Sequence, residues 1–395
     1  MSRHKVLADF AEDIDRCVKC GACQAHCPAY LSGQSEGDVA RGKIALAAAL
    51  LQNPERYQGD TADFLRDMDI CLMCGSCVSK CPNKVPTDQI VGAVRRQLAA
   101  EQGLSAVAKG VSSLLGRPGL LDGAVKGSAL LTPLFLKKVP EQSGLRLRFP
   151  WSSLASCTGM EQRTLPQPAA KNLFQRLPEY IPGASGRPVV GFFAGCSISW
   201  LYPEIGEKMV AILQALGCAV YLPGSQRCCG IPALSSGDGG LVEELAQANI
   251  SAFTRYNPDI IVTACASCSG GIGEYYRTMK GLPADFMAKV MDVTTFFEKE
   301  NLVARLTAMK RWSKPKRVSW HDPCHLKKQG IIAAPRAILT ALPNVEFIEM
   351  EGADRCCGLG GTFSVYHYQR SRKIGEKKME GLRQAAVAAV ATACP

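Results

Sequence analysis

Cys17-Val18-Lys19-Cys20-Gly21-Ala22-Cys23, then Cys27-Pro28, recurs as Cys71-Leu72-Met73-Cys74-Gly75-Ser76-Cys77, then Cys81-Pro82. Both runs have the spacing C-x2-C-x2-C-x3-C-P. Three closely spaced thiolates wrap one face of a cubane 4Fe–4S cluster, and the fourth cysteine of each run ligates the cluster of the other. The spacing therefore predicts one cluster on Cys17, Cys20, Cys23 and Cys81, and a second on Cys71, Cys74, Cys77 and Cys27. Gly21 and Gly75 let the backbone turn tightly around each cluster. Pro28 and Pro82 turn the chain away after the fourth ligand. Zinc is the alternative occupant. Its four ligands usually come in pairs, which two identical four-cysteine runs ending in proline do not resemble.

Working outward, the rest of the composition fits this reading. The chain has 395 residues, 47 % apolar and 21 % charged, which suits a folded protein of two or three domains. It holds 19 cysteines, an odd number that suits disulfides poorly. It begins Met1-Ser2-Arg3-His4 with no apolar signal segment, so the cysteines are expected to bind metal or carry redox chemistry. The net charge, 46 − 35 = +11, partly offsets anionic clusters. No basic motif with interleaved aromatics appears, so nucleic acid is not an expected partner. No apolar run reaches the ~18 residues a membrane span needs.

Between and beyond the runs the chain reads helical. Val39 to Leu51 is rich in Ala and Leu and ends at Asn53-Pro54. Ala62 to Met68 forms a short helix leading into Cys71. Pro86-Thr87-Asp88 is expected to cap a third helix, with Ile90, Val91, Val94 and Leu98 on one face. Residues 103–187 carry no motif. Lys126, Lys137 and Lys138 flank the apolar stretch Ala129 to Leu136, which reads as a basic surface segment or as a connector packed against the clusters or a partner subunit. The connector is the reading adopted. Cys157, within it, reads as a buried small apolar residue.

From residue 188 strand and helix alternate. Pro188 to Ala194 leads to Cys196, Ala219 to Leu222 leads to Cys228-Cys229-Gly230, and Asp259 to Thr263 leads to Cys265-Ala266-Ser267-Cys268, with helices over Glu204 to Leu216 and Leu241 to Thr254. Val318 to His321 then leads to Cys324, Val345 to Met350 to Cys356-Cys357-Gly358, and Ala386 to Ala391 to Cys394. The offsets are 324 − 196 = 128, 356 − 228 = 128, 357 − 229 = 128 and 394 − 265 = 129. Four landmarks in step argue for an internal duplication. Each strand brings its cysteines to its carboxyl end, where open α/β sheets place their sites. One repeat gathers Cys196, Cys228, Cys229, Cys265 and Cys268, one thiolate more than a cubane or a zinc ion needs. Cys218 starts a strand and reads as core.

This repeat resembles the cysteine-rich CCG domain of heterodisulfide reductase catalytic subunits. The domain also occurs in iron–sulfur subunits of glycolate oxidase, anaerobic glycerol-3-phosphate dehydrogenase and lactate-utilisation systems. The N-terminal part is similar to the α-helical ferredoxin domains of respiratory iron–sulfur subunits. His321-Asp322-Pro323-Cys324-His325-Leu326 and Cys356-Cys357-Gly358-Leu359-Gly360-Gly361-Thr362-Phe363 look like the glycolate oxidase group. The resemblance implies an α+β multidomain chain: an α-helical ferredoxin over 1–102, a linker over 103–187, and two duplicated α/β CCG half-domains over 188–312 and 313–395. It implies a noncubane 4Fe–4S cluster on Cys196, Cys228, Cys229, Cys265 and Cys268. The second set would be Cys324, Cys356, Cys357 and Cys394. Its fifth cysteine is expected three residues past Cys394, but the chain ends at Pro395. His321 and His325 are expected to shape the loop around Cys324.

No flavin or nicotinamide fingerprint appears, and Gly270-Gly271-Ile272-Gly273 is not one. No flavin is therefore expected in this chain. The resemblance implies a separate FAD-containing subunit that oxidises glycolate or D-lactate, with electrons passing through the clusters to a membrane quinone or another redox carrier. The chain is then expected to be cytoplasmic, or peripheral on the cytoplasmic face of the membrane. Two alternatives stay open: a thiol–disulfide reductase working at the CCG clusters, and the iron–sulfur subunit of an anaerobic glycerol-3-phosphate dehydrogenase.

Overall fold

A computed structural model describes residues 3–57, 62–138, 145–147 and 164–395. Cys157 lies outside the described residues. The N-terminal unit is built on three helices, Ala40–Gln52, Ala62–Asp69 and Thr87–Gln102. Ile44, Ala47 and Leu50 from the first meet Ile90, Val91, Val94 and Leu98 from the third, and Phe10, Ile14, Phe64 and Met68 complete the core. Burying this stripe stabilises helices whose propensity alone would not hold them.

Both cysteine runs leave the helical regime at matching points. Gly21 and Gly75 take φ of +84° and +71°, and Lys19 and Met73 take +55° and +52°. Those last two are left-handed residues with side chains, an uncommon conformation that sequence patterning did not flag. The expected cap of the third helix is absent. Pro86 stands at its N-cap without a side-chain bond, and the Asp88 carboxylate instead pairs with Lys328 of the C-terminal part. A distant cation outcompeted the local backbone for that carboxylate.

The connector contributes helices over Ala106–Gly116 and Pro118–Phe135. The first is capped by Ser105, whose hydroxyl accepts from the Ala108 amide at 3.2 Å. It packs on Ile231–Ser235 and Gly239–Thr254 of the first repeat. Asp122 accepts from Trp200 Nε1 at 2.6 Å and from Asn172 Nδ2 at 3.1 Å, fastening the second helix to the same repeat.

The C-terminal part holds two sheets. The larger runs Tyr180–Ile181, Ala219–Tyr221, Val189–Phe192, Ile260–Thr263, Val290–Asp292, all parallel except the first, which pairs antiparallel at the edge. The smaller is parallel throughout, in the order Val345–Phe347, Lys316–Trp320, Ala389–Ala391. The strand that leads to the first cysteine is central to its repeat in both. The strand leading to the adjacent pair lies on one side, and the strand leading to Cys265 or Cys394 on the other. Tyr180–Ile181 lies upstream of residue 188, so the sheet of the first repeat draws on the connector. Two of the second repeat's strands, Val345–Phe347 and Ala389–Ala391, are shorter than their apolar runs suggest. The helix Tyr368–Ala385 ends in a left-handed Ala386, φ +48°, and pairing resumes only at Ala389.

Arg95 ties the two parts together. It is 7 % exposed. It donates to the carbonyls of Met68 at 2.7 Å, Asp69 at 3.0 Å and Cys71 at 2.9 Å, and across the junction to Ser235 O at 2.9 Å. Arg370 adds an ion pair to Asp38 at 2.7 Å. Replacing Arg95 with Met strands these buried carbonyls. Each charge-assisted bond contributes about 1.5–3 kcal/mol. The variant is expected to lose about 3 kcal/mol in urea unfolding; an unchanged midpoint would show that the junction is held elsewhere.

Candidate iron–sulfur centres

The four thiols Cys27, Cys71, Cys74 and Cys77 line one small cavity, together with Lys43, Asp38 and Asp88. Cys27 arrives from the first run and the other three from the second. Its neighbour in sequence, Cys23, instead feels the charge of Cys17. Cys17 and Cys81 lie against the helical core, and Cys20 is exposed. The start of one run is held to the end of the other, because Asn83 Nδ2 donates to Arg16 O at 2.7 Å. The carboxylates on the cavity wall are already taken, Asp38 by Arg370 and Asp88 by Lys328. Soft sulfur donors thus converge on a dry space, the donor set that iron–sulfur clusters take. The residues fit such a group.

The larger space is a cleft of about 940 Å³ between the two repeats and the N-terminal unit. Cys196, Cys228, Cys229, Cys265 and Cys268 of the first repeat line it, as do Cys324, Cys356, Cys357 and Cys394 of the second. Cys74 lines it too, so this one residue belongs to both cavities. Among the described residues no three His, Cys, Asp or Glu side chains stand close enough together to hold a single metal ion.

Within the cleft the thiols form chains of contacts. Cys196 Sγ donates to Cys228 Sγ at 3.8 Å. Cys229 accepts from Cys228 and Cys268, which pulls its thiol down to about 6. Cys265 accepts from Cys268 and Cys394, and it too is held well below the usual thiol range. The bond to Cys265, then burial, pushes Cys394 upward. Cys356 stands between Cys324 and Cys74 and donates to both, and its bond brings Cys74 down to about 6. The five thiols of the first repeat are therefore contiguous. Cys394 stands with Cys265 and with Ser267 Oγ at 3.4 Å, while Cys324 and Cys356 stand with Cys74. Cys218 is fully buried in the core of the first sheet.

Several residues that hold these loops carried no motif. Gln226 Oε1 accepts from the Ala194 amide at 2.8 Å while its Nε2 donates to Phe192 O at 3.1 Å, joining the loop before Cys228 to the strand before Cys196. Asn249 donates to Cys228 O at 3.0 Å and Tyr276 to Cys229 O at 3.1 Å. An added Cβ at Gly195 would lie 2.6 Å from Cys268 Sγ, so only glycine admits that sulfur. In the second repeat, Lys378 Nζ binds the carbonyls of Gly352, Ala353 and Arg355 at 2.9, 2.7 and 3.1 Å, just before Cys356. Asp322 fixes the Cys324 loop by accepting from Trp320 Nε1 and both terminal nitrogens of Arg336, each at 2.8 Å. Burial pushes His321 and His325 down to about 4, and His325 presses on Gly270 of a π-helical turn, Ser269–Tyr275. Both line the cleft, and burial there disfavours the imidazolium form.

A cysteine-rich domain named CCG matches residues 190–273 and 318–395, and a 4Fe-4S dicluster domain matches residues 13–85. A Bacillus subtilis protein named a probable glycolate oxidase iron-sulfur subunit is 27 % identical over 99 % of this chain and 90 % of its own length. Lactate utilization protein A of Oceanobacillus iheyensis is 32 % identical over 48 % of this chain and 79 % of its own length. A subunit of the dihydromethanophenazine:CoB–CoM heterodisulfide reductase of Methanosarcina barkeri is 25 % identical over 97 % of this chain and 87 % of its own length. The dicluster unit, the paired CCG repeats and these likenesses place the chain in the family of CCG-domain iron–sulfur subunits to which glycolate oxidase and lactate utilization proteins belong, and it is accordingly an iron–sulfur electron-transfer subunit.

Proposed function

We propose that this chain takes electrons from a separate FAD-containing subunit that oxidises a 2-hydroxy acid, glycolate or D-lactate, and hands them on to a quinone or another carrier. The observation that carries the reading is Cys74, whose side chain lines both the small four-thiol cavity and the cleft of the CCG repeats. Cys17, Cys20, Cys23 and Cys81 would hold one cubane cluster, and Cys27, Cys71, Cys74 and Cys77 the other. Cys196, Cys228, Cys229, Cys265 and Cys268 would hold a noncubane cluster, with Cys324, Cys356, Cys357 and Cys394 as a second ligand set. When bound, such clusters carry single electrons.

The chain's own part is to hold thiolates close together in a water-poor space. Leu72, Ile231 and Leu234 give the cleft apolar walls, and Lys327 and the Lys328–Asp88 pair line it too. Hydroxy-acid oxidation belongs to the flavin subunit. Among the described residues no helix is long and apolar enough to cross a membrane. Delivery to a quinone would take place from the membrane's cytoplasmic face.

A thiol–disulfide reductase is the second reading. The depressed Cys229 thiol in a roomy cleft and the likeness to a heterodisulfide reductase subunit favour it. The two readings part experimentally. The isolated chain is expected to leave glycolate and D-lactate untouched. Mixed with its flavoprotein it is expected to bleach in the visible on acid addition, and Cys74→Ser to slow delivery to the acceptor by tenfold or more while the flavin is still reduced. Turnover of a small disulfide by the isolated chain with a chemical reductant, lost in Cys229→Ser, would favour the reductase instead.

Ligand crossing has its own test. Cys27→Ser is expected to abolish the electron paramagnetic resonance signal that Cys71→Ser abolishes and to spare the one that depends on Cys20. If Cys27→Ser and Cys20→Ser remove the same signal, each run holds its own cluster.

A further inference from the structure

The four thiols of the small cavity share it with one ammonium. Lys43 is 1 % exposed and lines the cavity beside Cys27, Cys71, Cys74 and Cys77. Its Nζ donates to Gly37 O at 2.9 Å and to Asp67 O. Both are neutral carbonyls, and among the described residues no carboxylate lies within ion-pair distance of it. The cavity's two carboxylates are balanced by other cations, Asp38 by Arg370 and Asp88 by Lys328. The charge left over on this wall is that of Lys43.

The two carbonyls account for a buried donor here, but they do not cancel its charge. Its helix buries Ile44, Ala47 and Leu50 toward the same core, and a methionine would continue that face. A buried cation without a counter-ion costs several kcal/mol. Burial pulls the Lys43 pKa down, and the charge of Cys71 opposes that pull. Costs of this kind are borne where function needs them, and among the described residues Lys43 is the one cation on the wall of this cavity.

We propose that Lys43 is the fixed counter-charge of the cluster held by Cys27, Cys71, Cys74 and Cys77, a positioning residue that keeps a buried anionic centre able to accept an electron. This rests on the ligand assignment above. Reduction by an external one-electron donor makes and breaks no bond; it adds one negative charge to a centre already surrounded by thiolates. In a low-dielectric cavity that added charge is strongly disfavoured unless a cation is already in place. Net charge and hydrogen bonding around the sulfurs set the potential of such centres. Among the described residues the other thiol set has no equivalent. The cation acting on Cys23 is Arg41, which is partly solvated and paired with Glu36 at 2.6 Å. The effect of Lys43 is therefore selective for one centre.

The test is a dye-mediated potentiometric titration of the full chain, reconstituted anaerobically with iron and sulfide and followed by electron paramagnetic resonance. Lys43→Met is expected to move the midpoint of the Cys27-dependent signal to a more negative potential and to leave the Cys20-dependent signal in place. Lys43→Arg is expected to titrate close to the parent. Equal midpoints for parent and Lys43→Met, or equal shifts in the Met and Arg variants, overturn the proposal. If Lys43→Met does not retain the centre, iron content decides. Loss of about four irons in the Met variant but not in the Arg variant supports a requirement for the charge; equal loss in both shows a packing role and overturns it. Failure of the underlying assignment looks different: Cys27→Ser would then leave every signal of the parent intact, and the counter-charge would fall with it.

Discussion

A buried thiol is comfortable, but a buried thiolate is not, and this molecule gathers cysteines where water is scarce. Burial, with the charges of Cys71 and Cys74 adding to it, pushes Cys27 up to about 12. Where thiols meet, the protons are shared, so that Cys229 and Cys265 are pulled down while Cys268 between them is pushed up by its bonds to both. Thiols gathered in this way would suit a positively charged occupant, because ligation requires the thiolate and releases the proton. The surrounding structure keeps the sulfurs converged.

The chain does this with cations bound to carbonyls. Lys43, Arg95 and Lys378 are all buried, and each is held by backbone oxygens next to a cysteine loop. A carbonyl orients a cation without cancelling it, whereas a carboxylate would neutralise the field at the sulfurs. The two carboxylates on the wall of the small cavity are spoken for. Asp88 and Asp38 each take their partner from the far end of the chain, Lys328 and Arg370. Fold and electrostatics are thereby coupled. The same ion pairs that close the junction between the N-terminal unit and the repeats also remove negative charge from the wall of the small cavity.

The cysteine spacing and the constant offset between repeats made the architecture readable, because both are local and strict. The central strands were legible for a related reason: parallel strands buried on both faces read as unbroken apolar runs, as in Val189-Val190 and Ile260-Ile261-Val262. What escaped was long-range. Asp88 reads as a helix cap until Lys328, 240 residues away, claims it. Tyr180–Ile181 looks like connector until Ala219–Tyr221 pairs with it. Gln226, Asn249, Asp322 and Arg336 are ordinary polar residues in the sequence, and only their partners reveal that they fix cysteine loops. In the sequence Lys43 is only one more charge near the start of a helix. That it points inward is a property of tertiary packing, which helical periodicity does not resolve for a single residue.

Duplication explains why the cleft exists, but the halves are not equivalent. The order of strands is the same in both sheets, so both deliver cysteines to the carboxyl ends of their strands, and the two sets meet face to face. The Ala266 amide donates to Ala393 O at 2.6 Å, and Ser235 Oγ meets Thr362 Oγ1 at 3.1 Å. Burial then breaks the symmetry. Cys228 and Cys229 are 3 % and 4 % exposed, whereas of their counterparts Cys356 is half-buried and Cys357 is exposed. The sheet of the first repeat has five strands, that of the second three. Low dielectric penalises each added charge more heavily than a solvated site does. Repeating one structural unit has therefore not given the adjacent cysteines of the two halves the same surroundings. The halves thus differ in the packing around their sulfurs as well as in number, five cysteines lining the cleft from the first repeat and four from the second.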